Sequence, residues 1–231
     1  SEAKKNVYIV LLGTNHIFDI WDNLQFDLVD YPNHTGKIHS GFYQAWGQIR
    51  DAVYTCIDPI KDDVEVIYVT GHSYGAAIGE IALPELKARY ASEIVYYGFA
   101  IPRIGNQDFS NYMRTSFTDR YEILYAKDLV PCVPSRAMGY YHCEPFYVVG
   151  SKGQFILTDD NIHSGDDFET LLNVIQGPFR KEHQMKTYLQ LMEGILTSLD
   201  PHDPDAQKIL DGTCKLSLCD RCPILRKLRF W

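Results

Sequence analysis

Gly71-His72-Ser73-Tyr74-Gly75 follows directly on the apolar run 64–70 and presents the best-placed nucleophile of the chain. A G-x-S-x-G pattern places serine on a sharp turn from strand into helix. A side chain at either glycine would collide with neighbouring backbone, and glycine also tolerates unusual dihedrals. The turn lifts an exposed Ser73 hydroxyl above the sheet edge, within reach of both a base and a substrate carbonyl. Such a serine attacks carbonyl carbon covalently once a base draws off its proton. The same pattern occurs in surface loops that do no chemistry. The strand-like run before Ser73 and the small residues Ala76-Ala77-Ile78 after it favour the elbow.

An elbow of this kind needs an acid and then a histidine further along the chain. The run 122–126 is followed by Lys127-Asp128, which puts Asp128 just past a strand. The following Leu129-Val130-Pro131-Cys132-Val133-Pro134 reads as an extended loop, because its prolines resist helix. Four histidines lie downstream and outside the elbow: His142, His163, His183 and His202. His183 opens an apolar-periodic segment (Met185, Tyr188, Leu189, Met192), and so stands in a loop at a helix start. His163, among four aspartates, competes for the role of base, and His142 is a weaker candidate.

From residue 7 to about 191 the chain resembles a class 3 lipase of the fungal type. Val69-Thr70-Gly71-His72-Ser73-Tyr74-Gly75-Ala76-Ala77 is similar to that family's V-T-G-H-S-L-G-G-A, with Tyr74 in place of leucine. Leu11-Leu12-Gly13-Thr14 resembles its F-R-G-T/S strand end, with Leu12 in place of arginine. Ile38-His39-Ser40-Gly41-Phe42 resembles V-H-x-G-F, and Gly98 to Asn106 resembles F-G-x-P-R-V-G-N. Asp128-Leu129-Val130-Pro131 is similar to D-x-V-P, Gly139 to Glu144 to G-Y-x-H-x-x-E, and His183 with Tyr188 to H-x(4)-Y. The resemblance implies an α/β-hydrolase fold and a serine ester hydrolase acting on acylglycerols, with Ser73 as nucleophile, Asp128 as acid and His183 as base. It implies oxyanion amides at Thr14 and Tyr74, a structural role for His142, and no metal or organic cofactor. Feruloyl-type esterases and phospholipase- or galactolipase-like enzymes share the fold. A non-catalytic binding protein is the alternative outside enzymology, and retention of all three triad residue types argues against it.

Positioning these residues requires a mainly parallel sheet with helices on both faces. Strands are predicted at 7–12, 64–70, 94–99, 121–126, 145–149 and 155–157. Helices are predicted at 41–57, 75–90 (kinked or split by Pro84), 106–115, 168–175 and 183–199. The segment with Ile17, Phe18, Ile20, Trp21 and Leu24 carries apolar residues at i, i+3, i+4 and i+7 opposite Asp19, Asp22 and Asn23. It reads as a short amphipathic helix where the resemblance places a lid, or as an ordinary surface helix.

At 231 residues the chain is long enough for one domain with a substantial core. Residues 1–199 read as that domain and 200–231 as a C-terminal extension. A net charge of −8 excludes a general nucleic-acid binder. The basic, apolar end (Arg226, Lys227, Arg229, Phe230, Trp231) could touch lipid transiently or pack on the domain. Six cysteines leave disulfides and free thiols both open, with Cys132 and Cys143 flanking one loop. The even count, together with the Asn33-His34-Thr35 glycosylation triplet, tilts the reading towards export.

Overall fold

The computed structural model describes residues 5–13, 26–125, 127–143, 145–149, 155–158 and 182–198, with the backbone path alone for 155–158 and 195–198. In chain order these form β1 (Lys5–Leu11), β2 (Leu28–Asp30), β3 (Lys37–His39), α1 (Ser40–Ile57) and β4 (Val64–His72). There follow α2 (Tyr74–Arg89), β5 (Glu93–Phe99), α3 (Gln107–Ser116), β6 (Arg120–Tyr125), β7 (Phe146–Val149), β8 (Phe155–Thr158) and α4 (Met185–Ser198). The main sheet runs β1-β4-β5-β6-β7-β8. Its first five strands are parallel and β8 pairs antiparallel with β7. Leu11, Gly71 and Gly98 lie side by side in this register, so the strands end together at one edge. In open parallel sheets that carboxyl edge is where sites form.

Two apolar layers cover the sheet. On one side Phe42 and Trp46 of α1 and Ala76, Ile81 and Leu86 of α2 pack against Ile67, Val69 and Tyr96. On the other, Tyr188, Met185, Leu191 and Met192 of α4 meet Val66, Val95, Tyr121 and Ile123. Helix α2 is buried over most of its length, which explains its lack of a polar face. Pro84, expected to kink or split it, lies inside a single helix. Proline removes the donor to the Glu80 carbonyl four residues back, and the Tyr31 hydroxyl donates to the neighbouring Ile81 carbonyl at 2.5 Å.

The loop expected to be extended after Asp128 instead contains a 3-10 turn, Val130–Cys132. Pro131 fits there because the first residues of such a turn need no donor. The β2–β3 hairpin was not predicted, since three-residue strands are too short to show alternation. The lid candidates Ile17, Phe18, Ile20, Trp21 and Leu24, the oxyanion candidate Thr14, the alternative base His163, the predicted helix 168–175 and the extension 200–231 lie outside the described residues. Among the described residues no helix is long and apolar enough to cross a membrane.

Candidate active site

Ser73 joins β4 to α2 with φ 57° and ψ −122°. That conformation costs a non-glycine residue roughly 1–3 kcal/mol and persists only where surrounding structure fixes it. Its fixings are visible. The Ser73 amide donates to the Phe99 carbonyl at 2.8 Å, and its carbonyl accepts the first bond of α2 from the Ala77 amide at 3.1 Å. A Cβ on Gly71 would lie 2.5 Å from the Gly75 carbonyl carbon, and one on Gly75 would lie 2.2 Å from the Leu11 oxygen. Both elbow glycines are therefore required by close approach. Tyr74 is the first residue of α2, where a backbone N–H has no carbonyl within the helix to receive it. Gly13, two residues past the end of β1, touches the elbow, since a Cβ there would lie 2.7 Å from the His72 oxygen.

His183 stands in the turn before α4 and meets both partners. Its Nε2 is 2.7 Å from Ser73 Oγ and its Nδ1 is 2.8 Å from Asp128 Oδ2. With Asp128 accepting, the ring carries its proton on Nδ1 and offers a lone pair to the serine hydroxyl. Asp128 has its other oxygen filled by the Val130 amide at 3.0 Å, and Oδ2 also accepts from the Tyr188 hydroxyl at 2.7 Å. Tyr188 in turn accepts the Tyr125 amide at 2.9 Å. Burial, and Asp128 after it, push the Tyr188 phenol well above its ordinary range, so it remains a donor. Ser73, expected to be exposed, is fully buried. The His183 ring, itself nearly buried, takes the place of solvent over the hydroxyl.

Two further side chains hold the loop that carries Asp128. His142 donates from Nε2 to the Pro131 carbonyl at 2.6 Å, with Nδ1 3.5 Å from Glu122. Its ring is thus committed to structure, as the resemblance implies. Arg103, buried, donates to the carbonyls of Cys132 and, at 3.1 Å, Pro134. Cys132 and Cys143, which could have paired, are both buried and are not joined by a disulfide. Sequence reasoning missed Arg103 and the tie from Tyr188 to Asp128. The i+5 spacing from His183 was the available signal for Tyr188, because it lies one turn into the helix that His183 introduces. His72 was missed as well. Its ring packs 4.8 Å from His183 and 5.7 Å from Tyr188, centroid to centroid.

Burial, with His183 adding to it against Asp128, lowers the His72 pKa to about 4, so the His72 ring beside His183 is neutral near neutrality. Burial lowers His39 to about 4 also, where its Nδ1 accepts the Gly41 amide at 3.0 Å and caps α1. Glu80 moves the other way, raised to about 8 by burial and by Glu122 against the pull of Arg120. The signs give a stability optimum. Below about pH 6.5 the unfolded chain binds protons that His39 and His72 refuse, a loss of roughly 3 kcal/mol each by pH 4. Glu80 keeps a proton that the unfolded chain releases above about pH 4.5, which offsets part of that loss and removes stability as pH rises towards 8. Urea midpoints should therefore peak between about pH 6 and 7. His39→Asn, which keeps a cap acceptor, should flatten the acid limb, and Glu80→Gln the alkaline one. A midpoint independent of pH would remove these assignments.

The profile of the family Lipase (class 3) matches residues 8–138. A lipase of Rhizomucor miehei is 30% identical over 163 residues, covering 67% of this chain and 45% of the relative. A secreted mono- and diacylglycerol lipase of Malassezia globosa is 34% identical over 116 residues, covering 48% and 38%. The chain thus spans less than half the length of these curated relatives. A triacylglycerol lipase described as having a serine protease triad superposes with a TM-score of 0.60 at 28% identity, over 68% of this chain and 63% of that one. The triacylglyceride lipase of Rhizomucor miehei gives 0.57 at 28%, over 64% and 59%. With this profile covering more than half of the sequence, the chain belongs to the class 3 lipase family and has its α/β-hydrolase fold.

Proposed function

We propose that the chain is a serine ester hydrolase acting on acylglycerols, with Ser73, His183 and Asp128 as nucleophile, base and acid. The observation that carries this reading is the unbroken line from Ser73 Oγ through His183 to Asp128, at 2.7 and 2.8 Å, on a strained elbow. Ser73 Oγ attacks the ester carbonyl as its proton passes to His183 Nε2. Asp128 holds the Nδ1–H tautomer and stabilises the imidazolium that forms. The carbonyl electrons move onto oxygen, which the Tyr74 amide at the head of α2 receives, with Thr14 as the second donor. Each such donor is worth roughly 3 kcal/mol. Collapse expels the alcohol, protonated by His183, and leaves Ser73 acylated. Water, deprotonated by the same ring, then releases the fatty acid.

The relatives' names, lipase and mono- and diacylglycerol lipase, support acylglycerols as the substrate class, and those described as secreted support export. A mobile lid over the site, as the family resemblance implies, is the second part of this reading. The amphipathic segment with Ile17, Phe18, Ile20, Trp21 and Leu24 is our candidate for it. At about 25 cal/mol per Å2, laying a few such side chains on lipid supplies several kcal/mol. A chain-length series of nitrophenyl and glycerol esters, assayed below and above solubility, tests both points. Activity should jump as an emulsion forms, and Ile20→Ser with Trp21→Ser should flatten the jump while sparing soluble short esters. Ordinary saturation across the solubility limit would reduce the reading to a carboxylesterase with a fixed surface helix. Preference for feruloyl esters would replace the acylglycerol class.

A further inference from the structure

Asn33-His34-Thr35 is the one N-x-S/T triplet in the sequence, and its middle residue is not proline. The structure sets it at the tip of the β2–β3 hairpin. The turn is closed by the Tyr31 amide donating to the Gly36 carbonyl and the His34 amide to the Tyr31 carbonyl, each at 3.1 Å. Asn33 has φ 63°, a left-handed conformation that asparagine adopts more readily than most residues. That accounts for an asparagine, but not for threonine two residues on. Both Asn33 and Thr35 are exposed. A cleft of about 510 Å3 opens beside the turn, with Asn33, His34, Tyr43, Tyr54 and Arg89 among its walls. Its tyrosine and histidine rings and its polar groups, with Arg50 paired to Glu85 and Arg89 to Asp58, offer the flat faces and hydrogen-bonding groups that a sugar can lie against.

The cleft is far from the chemistry. Its α2 wall is made by Glu85, Ala88 and Arg89, at the opposite end of the helix from Ser73. Glu85 is eleven residues beyond Tyr74, about 16 Å along the axis. A bulky group on Asn33 therefore leaves the substrate's approach to Ser73 open.

We propose that Asn33 is an N-glycosylation site whose first sugars rest over this cleft. The inference rests on the export reading above, because the donor is a lipid-diphosphate-linked oligosaccharide of the secretory pathway. The Asn33 Nδ2 forms a bond to C1 of the first sugar as the bond from C1 to the diphosphate oxygen breaks. The lipid diphosphate leaves with the electron pair, and one amide proton passes to a base of the transferase. Thr35 supplies the hydroxyl by which the triplet is recognised.

The test places the chain behind a heterologous secretion leader in a eukaryotic host, so that its own export is not at issue. Cell and medium fractions are both read by intact mass and peptide mapping. The expected result is one glycan, removed by peptide N-glycosidase with conversion of Asn33 to aspartate. It should be absent from Asn33→Gln and Thr35→Ala and retained in Thr35→Ser. The inactive Ser73→Ala chain should carry it equally, which separates this inference from the catalytic one. Deglycosylation should leave kcat/KM unchanged. An unmodified Asn33 in both fractions overturns the proposal, as does a glycan that survives Thr35→Ala.

Discussion

Replacing Ser73 with alanine should lower ester hydrolysis by about 10,000-fold or more while the fold persists. The hydroxyl is a single atom beyond alanine, and its one described tie is to His183 Nε2 at 2.7 Å. The elbow itself is held by backbone, through Phe99, Ala77 and the contact of Gly75 with Leu11. Ser73→Gly sharpens the test. Glycine relieves the strain at φ 57° but adds roughly 0.5–1 kcal/mol of unfolded-chain entropy. It should therefore be as inactive as alanine and at least as stable, the signature of a residue kept strained for chemistry. A fluorophosphonate should label wild type at Ser73 and neither variant. An alanine variant with substantial activity would remove Ser73 from the mechanism.

The local parts of this site were legible in the sequence, and the long-range parts were not. The elbow announces itself because five adjacent residues must satisfy one tight turn. The settings of Asp128 and His183, one past a strand and one before a helix, made them candidates, with His163 left competing until the family resemblance favoured His183. Nothing local marked Arg103, whose work is done on carbonyls about thirty residues away. Nor did composition mark Glu80, Arg120 and Glu122 as a buried cluster, since Glu80 lies forty residues before Arg120 and meets the strand pair Arg120 and Glu122 only in the folded chain. The burial of Ser73 was misjudged for the same reason. A turn that raises a side chain above a sheet edge says nothing of the ring that will later lie across it. Pro84 does not split its helix, which is buried over most of its length, so tertiary packing overrides the local preference.

Replacing Asp128 with asparagine should lower kcat by about 10,000-fold, and the geometry says why. Asp128 accepts three donors: the Val130 amide on Oδ1, and His183 Nδ1–H and the Tyr188 hydroxyl on Oδ2. Asparagine has one carbonyl oxygen and one NH2 to place among them. With the oxygen towards His183, the NH2 confronts the Val130 amide, donor against donor. With the oxygen towards Val130, the NH2 faces His183, which must then carry its proton on Nε2. That tautomer points a proton at Ser73 Oγ and cannot accept one. The second arrangement avoids the clash and is the one expected, so geometry survives while the base is disabled. Tyr188→Phe makes the contrast, since it removes one donor to Asp128 and leaves the His183 tautomer intact. It should cost stability by about 2 kcal/mol, with the Tyr125 amide left unanswered, yet lower kcat by only about tenfold. Single-turnover rates and thermal midpoints for the two variants, measured side by side, separate proton placement from packing. Comparable losses of kcat in both would mean that Asp128 acts by anchoring the loop rather than by setting the proton on His183.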